Sequence, residues 1–371
     1  MGRVTAHGSG AAARWSAVAA LVAVLVALPL VVRALPADDR DVSAPDLRDA
    51  VLASADVAFS GYAVSAGGLT LPVSQQLPEI ADLFSDRTSM RVWWHGPDEH
   101  RVDVVTAAGE TDLHVDPTGS WTWDYESATA TRADPTLIAL PQPVDLLPST
   151  LGRRLLSQAA DEEITRVGAR RVAGTDALGI RLVPAEAAAS VDHVDVWVEP
   201  RSGLPVQVQV WTPGAGPPSL DTSMLDLDLG APSPQVLAFT PPPGAVIRPA
   251  PDLEGLVAQA QRGFVPPDLP ATLAGLPRRS QVGVPVGIEL YGRGVTVVAV
   301  VTLRNGEADS IRRALIGDTT AVTDELGTRV TAGPLGLMVV RDSAQESRLL
   351  AGTVTLDALA TAARELAGGS S

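Results

Sequence analysis

The chain has 371 residues, a net charge of −15 and a sequence pI near 4.7, and it contains neither cysteine nor lysine. An acidic field repels phosphate backbones, so nucleic acid is a poor partner; the absent cysteine excludes disulfides, thiolate nucleophiles and cysteine zinc sites, and the absent lysine excludes a P-loop lysine or a Schiff base. With 46% hydrophobic and 19% charged residues the composition is that of a packed protein, long enough for two domains.

The N-terminus carries Arg3 and Arg14 and then "WSAVAALVAVLVALPLVV", eighteen uncharged residues from Trp15 to Val32. About 17 to 25 such residues span a bilayer core, whereas a signal-peptide core is usually about 7 to 15 long. Ala37 in "RALPADD" is a small residue where a peptidase could cut, so residues 1–37 are read as a signal peptide or an N-terminal membrane anchor. In both cases everything after Asp38 is expected to be extracytoplasmic, membrane-anchored or secreted.

The stretch "SAPDLRDAVLASADVAF" predicts a helix capped by Ser43, with Pro45 in its first turn and Leu47, Val51 and Val57 at roughly helical spacing. From residue 90 the period becomes two. "MRVWW", "HRVDVVT", "TDLHV" and "SWTWDYE" predict short strands separated by "HGPDE", "AAGE" and "DPTG", an antiparallel meander. A helix is expected after Pro148, with Leu151, Leu155 and Leu156 on one side, and the "DEE" run at 161–163 reads as its solvated end. "LGIRLVP", "VDHVDVWVEP", "LPVQVQVW" and "TSMLDLDLG" predict a second group of strands, with "EPRSG" as a turn.

Four of the seven tryptophans lie between Trp93 and Trp123. Alternation assigns Val92, Trp94, Val102, Val104, Leu113, Val115, Trp121, Trp123 and Tyr125 to one face. Ile180, Leu182, Val194, Val196, Val198, Val206, Val208, Val210, Leu225 and Leu227 join them. The opposite face is expected to hold Arg101, Asp103, Asp112, His114, Thr122, Asp124, Asp195, Gln207 and Gln209, with Trp93, Trp197 and Trp211 among them. So much apolar surface needs a cover. Either two modest helices fill the space, or a curved sheet around them leaves room for an apolar ligand.

The order helix, "FSGY", "RVWW.GP", "RVD", "WTWDY", "DLLP" before a helix, "RRVAG", "VDVWVEPRSGLPVQV" and a closing "FTPPPGAVI" resembles the exported LolA/RseB (MucB)-like half-barrel superfamily, actinobacterial type, over residues 41–247. The "FTPPPG" end and the "WVEPRSGLPVQ" hairpin are its most specific pieces. The resemblance implies an incomplete antiparallel barrel with a helical lid over a cavity that takes acyl chains. It brings no catalytic residues, cofactor or metal. The cavity lining it implies is Trp94, Val102, Val104, Leu113, Trp121, Trp123, Tyr125, Val194, Val196, Val208 and Leu225.

After Arg248 a proline-flanked stretch, 248–266, reads as a linker. "GVPVGIELYGRGVTVVAVVTLRNG", "TAVTDELGTRVTAG", "GLMVVRD" and "RLLAGTV" predict strands, and "YGRG" a turn. "EADSIRRALIG" and "TLDALATAAREL" predict helices, the second capped by Thr355 with Leu356, Leu359, Ala360 and Ala363 along one side. Residues 267–369 are thus expected to form a small α+β domain similar to the C-terminal domain of RseB. The expected fold class is mainly β with α (α+β): an N-terminal incomplete antiparallel β-barrel with a helical lid, plus this small domain.

His95, His100, His114 and His193 have no compact metal-ligand spacing, and neither HExxH nor GxSxG occurs, so no enzymatic activity is expected. Two binding functions fit. One is a lipid- or lipoprotein-binding regulatory sensor whose partner is a membrane protein such as an anti-sigma factor. The other is a lipoprotein or lipid carrier of LolA type, whose partner is an ABC transporter subunit. Two domains and a membrane segment favour the first, because a carrier must diffuse between membranes.

Overall fold

The computed structural model describes residues 37–67, 87–106, 109–136, 141–214, 216–260, 268–279, 284, 287–303, 305–341 and 347–368, with Trp15, Val18, Leu21 and Val22. The rest of the expected apolar segment lies outside the described residues. Among the described residues no helix is long and apolar enough to cross a membrane.

Ser43 opens α1 (Ala44–Ala53) as expected: its hydroxyl accepts from the Asp46 amide at 3.2 Å, and Pro45 sits in the first turn. Leu47 and Val51 are buried, while Val57 falls beyond the helix, after a 3-10 turn at Ser54–Asp56. The first strand group is β1 (Phe59–Ala66), β2 (Thr88–Gly96), β3 (Glu99–Val105), β4 (Glu110–Asp116), β5 (Gly119–Asp124) and β6 (Thr129–Ala133). A 3-10 turn at Pro143–Leu146 leads into α2 (Pro148–Leu156) and a further one at Asp161–Glu163. The second group is β7 (Ile164–Val172), β8 (Thr175–Leu182), β9 (His193–Val198), β10 (Pro205–Trp211) and β11 (Leu220–Leu229). A short helix α3 (Pro234–Leu237) and the strand β12 (Val246–Pro249) end this region.

These strands make one 12-stranded sheet in the order β12, β6, β5, β4, β3, β2, β1, β11, β10, β9, β8, β7. It is open: β12 and β7 are edges. All neighbours are antiparallel except β12, which lies parallel to β6. The β12 edge is blunted by its sequence. The amides of Val246 and Ala250 donate to Ala128 and Arg132, so Ile247, Pro249 and Pro251 alternate on the outer side, and two of them have no N–H to offer another strand.

After α4 (Leu253–Ala260), a second antiparallel sheet contains β13 (Thr272–Leu273), β14 (Leu276–Arg279), β15 (Ile288–Arg293), β16 (Thr296–Leu303), β17 (Val322–Asp324), β18 (Gly327–Ala332), β19 (Leu335–Arg341) and β20 (Ser347–Gly352). Its order is β13, β14, β15, β16, β20, β19, β18, β17. The helix α5 (Asn305–Ile316) follows β16, and α6 (Leu356–Gly368) ends the described chain. Thr355 caps α6 by accepting from the Ala358 amide at 3.2 Å, and Leu359, Ala363 and Leu366 pack on Met338 and Leu350. The fold is therefore mainly β with helices, a large open antiparallel sheet beside a smaller one carrying a C-terminal helix.

Candidate binding face and its cover

Register decides which side chains share a face. Val92 lies opposite Val102, Val102 opposite Leu113, and Leu113 opposite Thr122. Directly paired residues project to the same side. The inner face of the first strand group is therefore Phe59, Met90, Val92, Trp94, Val102 and Leu113, with Val104 half-buried beside them. In the second group Ile180 pairs with Val196 and Val196 with Val208, while Leu182, Val194 and Val210 form the next row. These are inner residues too, as expected.

Helices cover this face. Ala44, Leu47 and Val51 of α1 and Leu156 of α2 pack against Ile180, Val194, Val196 and Val208, with Leu151 and Leu155 half-buried at the margin. Contact is close because Gly152 has no side chain: a Cβ there would meet Pro205 at 2.8 Å and Val196 at 3.3 Å. Leu146 and Leu147 cap the Phe59, Met90, Trp94 and Val102 row, and the buried Thr222 hydroxyl donates to the Leu146 carbonyl at 2.6 Å. The Trp94 indole donates to the Ala55 carbonyl at 2.9 Å. Of the expected lining residues, Trp94, Val102, Leu113, Val194, Val196 and Val208 lie on the inner face, and each is 6% exposed or less.

Trp121, Trp123 and Tyr125 do not belong to that group, a correction to the expected face. Asp116 pairs with Gly119 across the two-residue turn Pro117–Thr118, so the odd positions of β5 share a side with the even positions of β4. Trp121 lies opposite His114 and Trp123 opposite Asp112, on the outer face. Thr122 and Asp124, expected outside, lie on the inner side. Leu225 sits where β11 bulges against Tyr62 and Ala63, and its side chain is 54% exposed rather than lining an interior. Tyr125 is also exposed, just past the end of β5.

The outer tryptophans serve the chain itself. Phe239, of the "FTPPPG" motif, packs on His114 at 4.8 Å, Trp121 at 5.7 Å and Trp123 at 6.3 Å between ring centroids. His114 Nδ1 donates to the Leu237 carbonyl at 3.0 Å. The segment after β11 thus straps across the outer face and delivers β12 to the β6 edge. Burial holds His114 and His100 below the usual histidine range, so both are neutral near pH 7. His100 stacks on Trp94 at 4.6 Å on the inner side, His193 stacks on Trp211 at 5.4 Å, and His95 lies 3.9 Å from Glu99.

The outer face also holds a charge cluster. Asp103 and Asp112 stand directly opposite each other on β3 and β4, like charges in a paired position. Arg101 binds both oxygens of Asp103 at 2.6 and 2.9 Å and Asp112 at 2.8 Å, and the Tyr125 hydroxyl donates to Asp112 at 3.3 Å. Burial first, and then the Asp103 charge, push the Asp112 carboxyl up to about 6 against the pull of Arg101. Glu110 brings a third carboxylate within 4.8 Å; Arg101 holds the two aspartates, and Arg91 pairs with Glu110 at 3.3 Å. A second outer network runs from Arg170, over the Trp197 ring at 3.8 Å, through Gln207 and Gln209 to Asp221.

One functional feature was hidden in the sequence. Glu163, expected in a solvated helix end, is buried. Its two oxygens are gripped by Arg293 at 2.8 Å each and accept the amides of Ala160 and Ala185 at 2.9 Å. Arg293 ends β15, so the pair fastens the second sheet to the first. Arg293 also bonds the Gln158 carbonyl at 3.1 Å and Glu186 at 2.8 Å. A bridge between Ala189 and Val354, and hydrogen bonds from Thr355 to Ala188 and from Ser190 to Pro334, add a second attachment. No signal within the "DEE" run itself pointed to a partner 130 residues away.

No known family profile matches the sequence, and no curated protein matches it. Among solved structures the chain is similar to MucB in complex with MucA(peri), at 15% identity over 86% of this chain and 97% of that one, with a TM-score of 0.49. It is similar to the MucA/MucB complex of Pseudomonas aeruginosa at 16% identity, with the same coverage and a TM-score of 0.48. A LolA-superfamily protein from Nitrosomonas europaea is 10% identical over 53% of this chain and 98% of that one, with a TM-score of 0.25.

Proposed function

We propose that the chain is an extracytoplasmic, non-enzymatic binding protein of regulatory type. Its inner face, from Trp94 and Val102 to Val194, Val196 and Val208, receives an acyl lipid or lipoprotein beneath α1 and α2. Its second sheet engages a membrane protein, of the anti-sigma factor kind. The observation carrying this reading is the open 12-stranded sheet whose apolar face is covered by two short helices rather than by a second sheet. Such a cover is removable in a way a sandwich core is not. Multiple attachments of the second sheet favour a regulator over a carrier, because ligand entry under the helices then alters the surface offered to a partner by linkage. Burying an acyl chain contributes about 0.8 kcal/mol per CH₂, so ten methylenes supply roughly 8 kcal/mol before ordering costs.

The test is native mass spectrometry with lipid extraction on the purified chain. Acyl species should co-purify and be lost in Trp94→Ala, while Trp121→Ala on the outer face leaves them in place. A chain free of lipid and inert to added fatty acids would leave only protein contacts as its function.

A further inference from the structure

The tip of the β15–β16 hairpin enters the first sheet. Arg293 pairs with Thr296, leaving Gly294 and Val295 as a two-residue turn, with Gly294 at φ +55°. Val295 is 8% exposed, yet it does not belong to the core of its own sheet. It packs in the cluster of Leu156, Leu182, Val194 and Val196, the apolar interior beneath α1 and α2. Polar bonds hold the tip in place on both sides of Val295: Arg293 on Glu163, Glu186 and the Gln158 carbonyl, and the Gly294 amide on Gln158 Oε1 at 2.8 Å. The space remaining at the junction, lined by Leu155, Ala159, Leu182 and Val295 among others, is about 10 Å³, room for one water at most.

We propose that the Arg293–Gly294–Val295 turn is a stopper. It closes the first sheet's apolar interior at the end where α2 leaves the sheet, and it must withdraw before an apolar chain can enter there. The second sheet is then the moving part of the ligand gate as well as a partner surface. Withdrawal breaks the Glu163 pair and exposes Leu156 and Leu182 together, so the two states differ in both charge pairing and apolar burial. A ligand that fills the place of Val295 stabilises the withdrawn state by that difference. This inference rests on the apolar-ligand reading above.

The hairpin tip offers a lock, with cysteine strain at the φ +55° of Gly294 and loss of the Gln158 side-chain bond common to its oxidised and reduced forms. A Cβ built on Gly294 lies 3.9 Å from the Gln158 Cβ, within the roughly 3.5–4.5 Å a disulfide spans, and the protein has no cysteine of its own. The double variant Gln158→Cys/Gly294→Cys is prepared as the full chain in lipid nanodiscs, oxidised and reduced, with Arg293→Gln as a loosened counterpart. Two readouts follow: amide hydrogen exchange over residues 155–159 and 180–183, and labelling by a diazirine-bearing palmitic acid. Oxidation should slow exchange about tenfold and cut labelling at least fivefold relative to the reduced form, and Arg293→Gln should raise both above wild type. Label that is taken up, and to the same extent, by the oxidised and reduced forms overturns the stopper, and so does exchange that responds to neither the disulfide nor Arg293→Gln. Exchange that responds as expected while no form takes label upholds the stopper and overturns the apolar-ligand reading instead.

Discussion

Arg293 holds both carboxylate oxygens of Glu163 at 2.8 Å, across 130 residues of sequence and between two sheets. Glu163 is 5% exposed and Arg293 39%, so the pair is part-buried and its geometry is bidentate. Removing one member leaves the other's desolvation uncompensated.

Glu163→Gln or Arg293→Ala should therefore destabilise the chain by about 2–3 kcal/mol, below the roughly 3–5 of a fully buried pair because Arg293 keeps some solvent. The double variant should cost less than the sum of the two. Urea unfolding of the four proteins gives the cycle. Additive losses would show that the pair contributes no coupling.

Acid should act through the same contact. Burial alone would raise the Glu163 carboxyl, but the Arg293 bonds and the amides of Ala160 and Ala185 outweigh it and bring the carboxyl to about 2. The folded value lies below the unfolded one, near 4.5, so the stabilisation is complete above about pH 4.5 and is lost as pH falls toward 2. It amounts to about 3 kcal/mol. Unfolding free energies measured from pH 6 to pH 2 should fall over that window in wild type and much less in Glu163→Gln.

Asp112 has the opposite sign. Its carboxyl is raised to about 6 by burial and by Asp103, so deprotonation opposes folding, and stability from this group grows as pH falls from about 6 toward 3.8. Asp112→Asn keeps an oxygen for Arg101 and offers Asp103 a donor. It should raise stability at pH 7 by about 1–3 kcal/mol and make no difference near pH 4. A loss of stability at pH 7 would mean that the Arg101 contact requires the second charge.

The sequence made many of the strands and the capped helices legible, because these depend on short-range chemistry: Ser43 before Pro45, Thr355 before Leu356, alternation from Met90 to Val105; the strands β1, β6, β7 and β12 to β14 were not predicted. It misplaced Trp121 and Trp123 because apolar character was taken to mean inside. The number of residues in the "DPTG" turn sets the side chain direction of everything after it, and two residues send the tryptophans outward. Leu225 was misplaced by a bulge that no local pattern announces. Glu163 and Val295 were missed for a different reason, since each is explained only by a partner in the other sheet.

Phe239→Ala should release the strap on the outer face. The side chain is half-buried among His114, Trp121 and Trp123, so a loss of about 1–3 kcal/mol is expected, below that of a fully buried phenylalanine. The local signature is faster exchange of the Val246 and Ala250 amides, which bond β6. Unchanged protection there would show that β12 holds without its aromatic anchor.

Gly203→Ala should be damaging, because Gly203 is buried and crowded. Gly203 has φ +72°, and an added Cβ would stand 2.4 Å from the Ala50 carbonyl oxygen, where the "EPRSG" turn meets α1. Thermal denaturation should show a clear drop in Tm, whereas Gly214→Ala, at φ +75° with open space around it, pays only the backbone strain. Equal losses in the two variants would mean that α1 yields to the clash without cost.

The most direct test of the binding face is the position of crosslinks from a diazirine-bearing fatty acid, mapped by peptide mass spectrometry on the full chain. Crosslinks at Trp94, Val102, Leu113 and the β9–β10 valines are predicted, with Trp121 and Trp123 unlabelled. Labelling confined to the outer tryptophans, or spread evenly over both faces, would contradict an apolar site beneath α1 and α2.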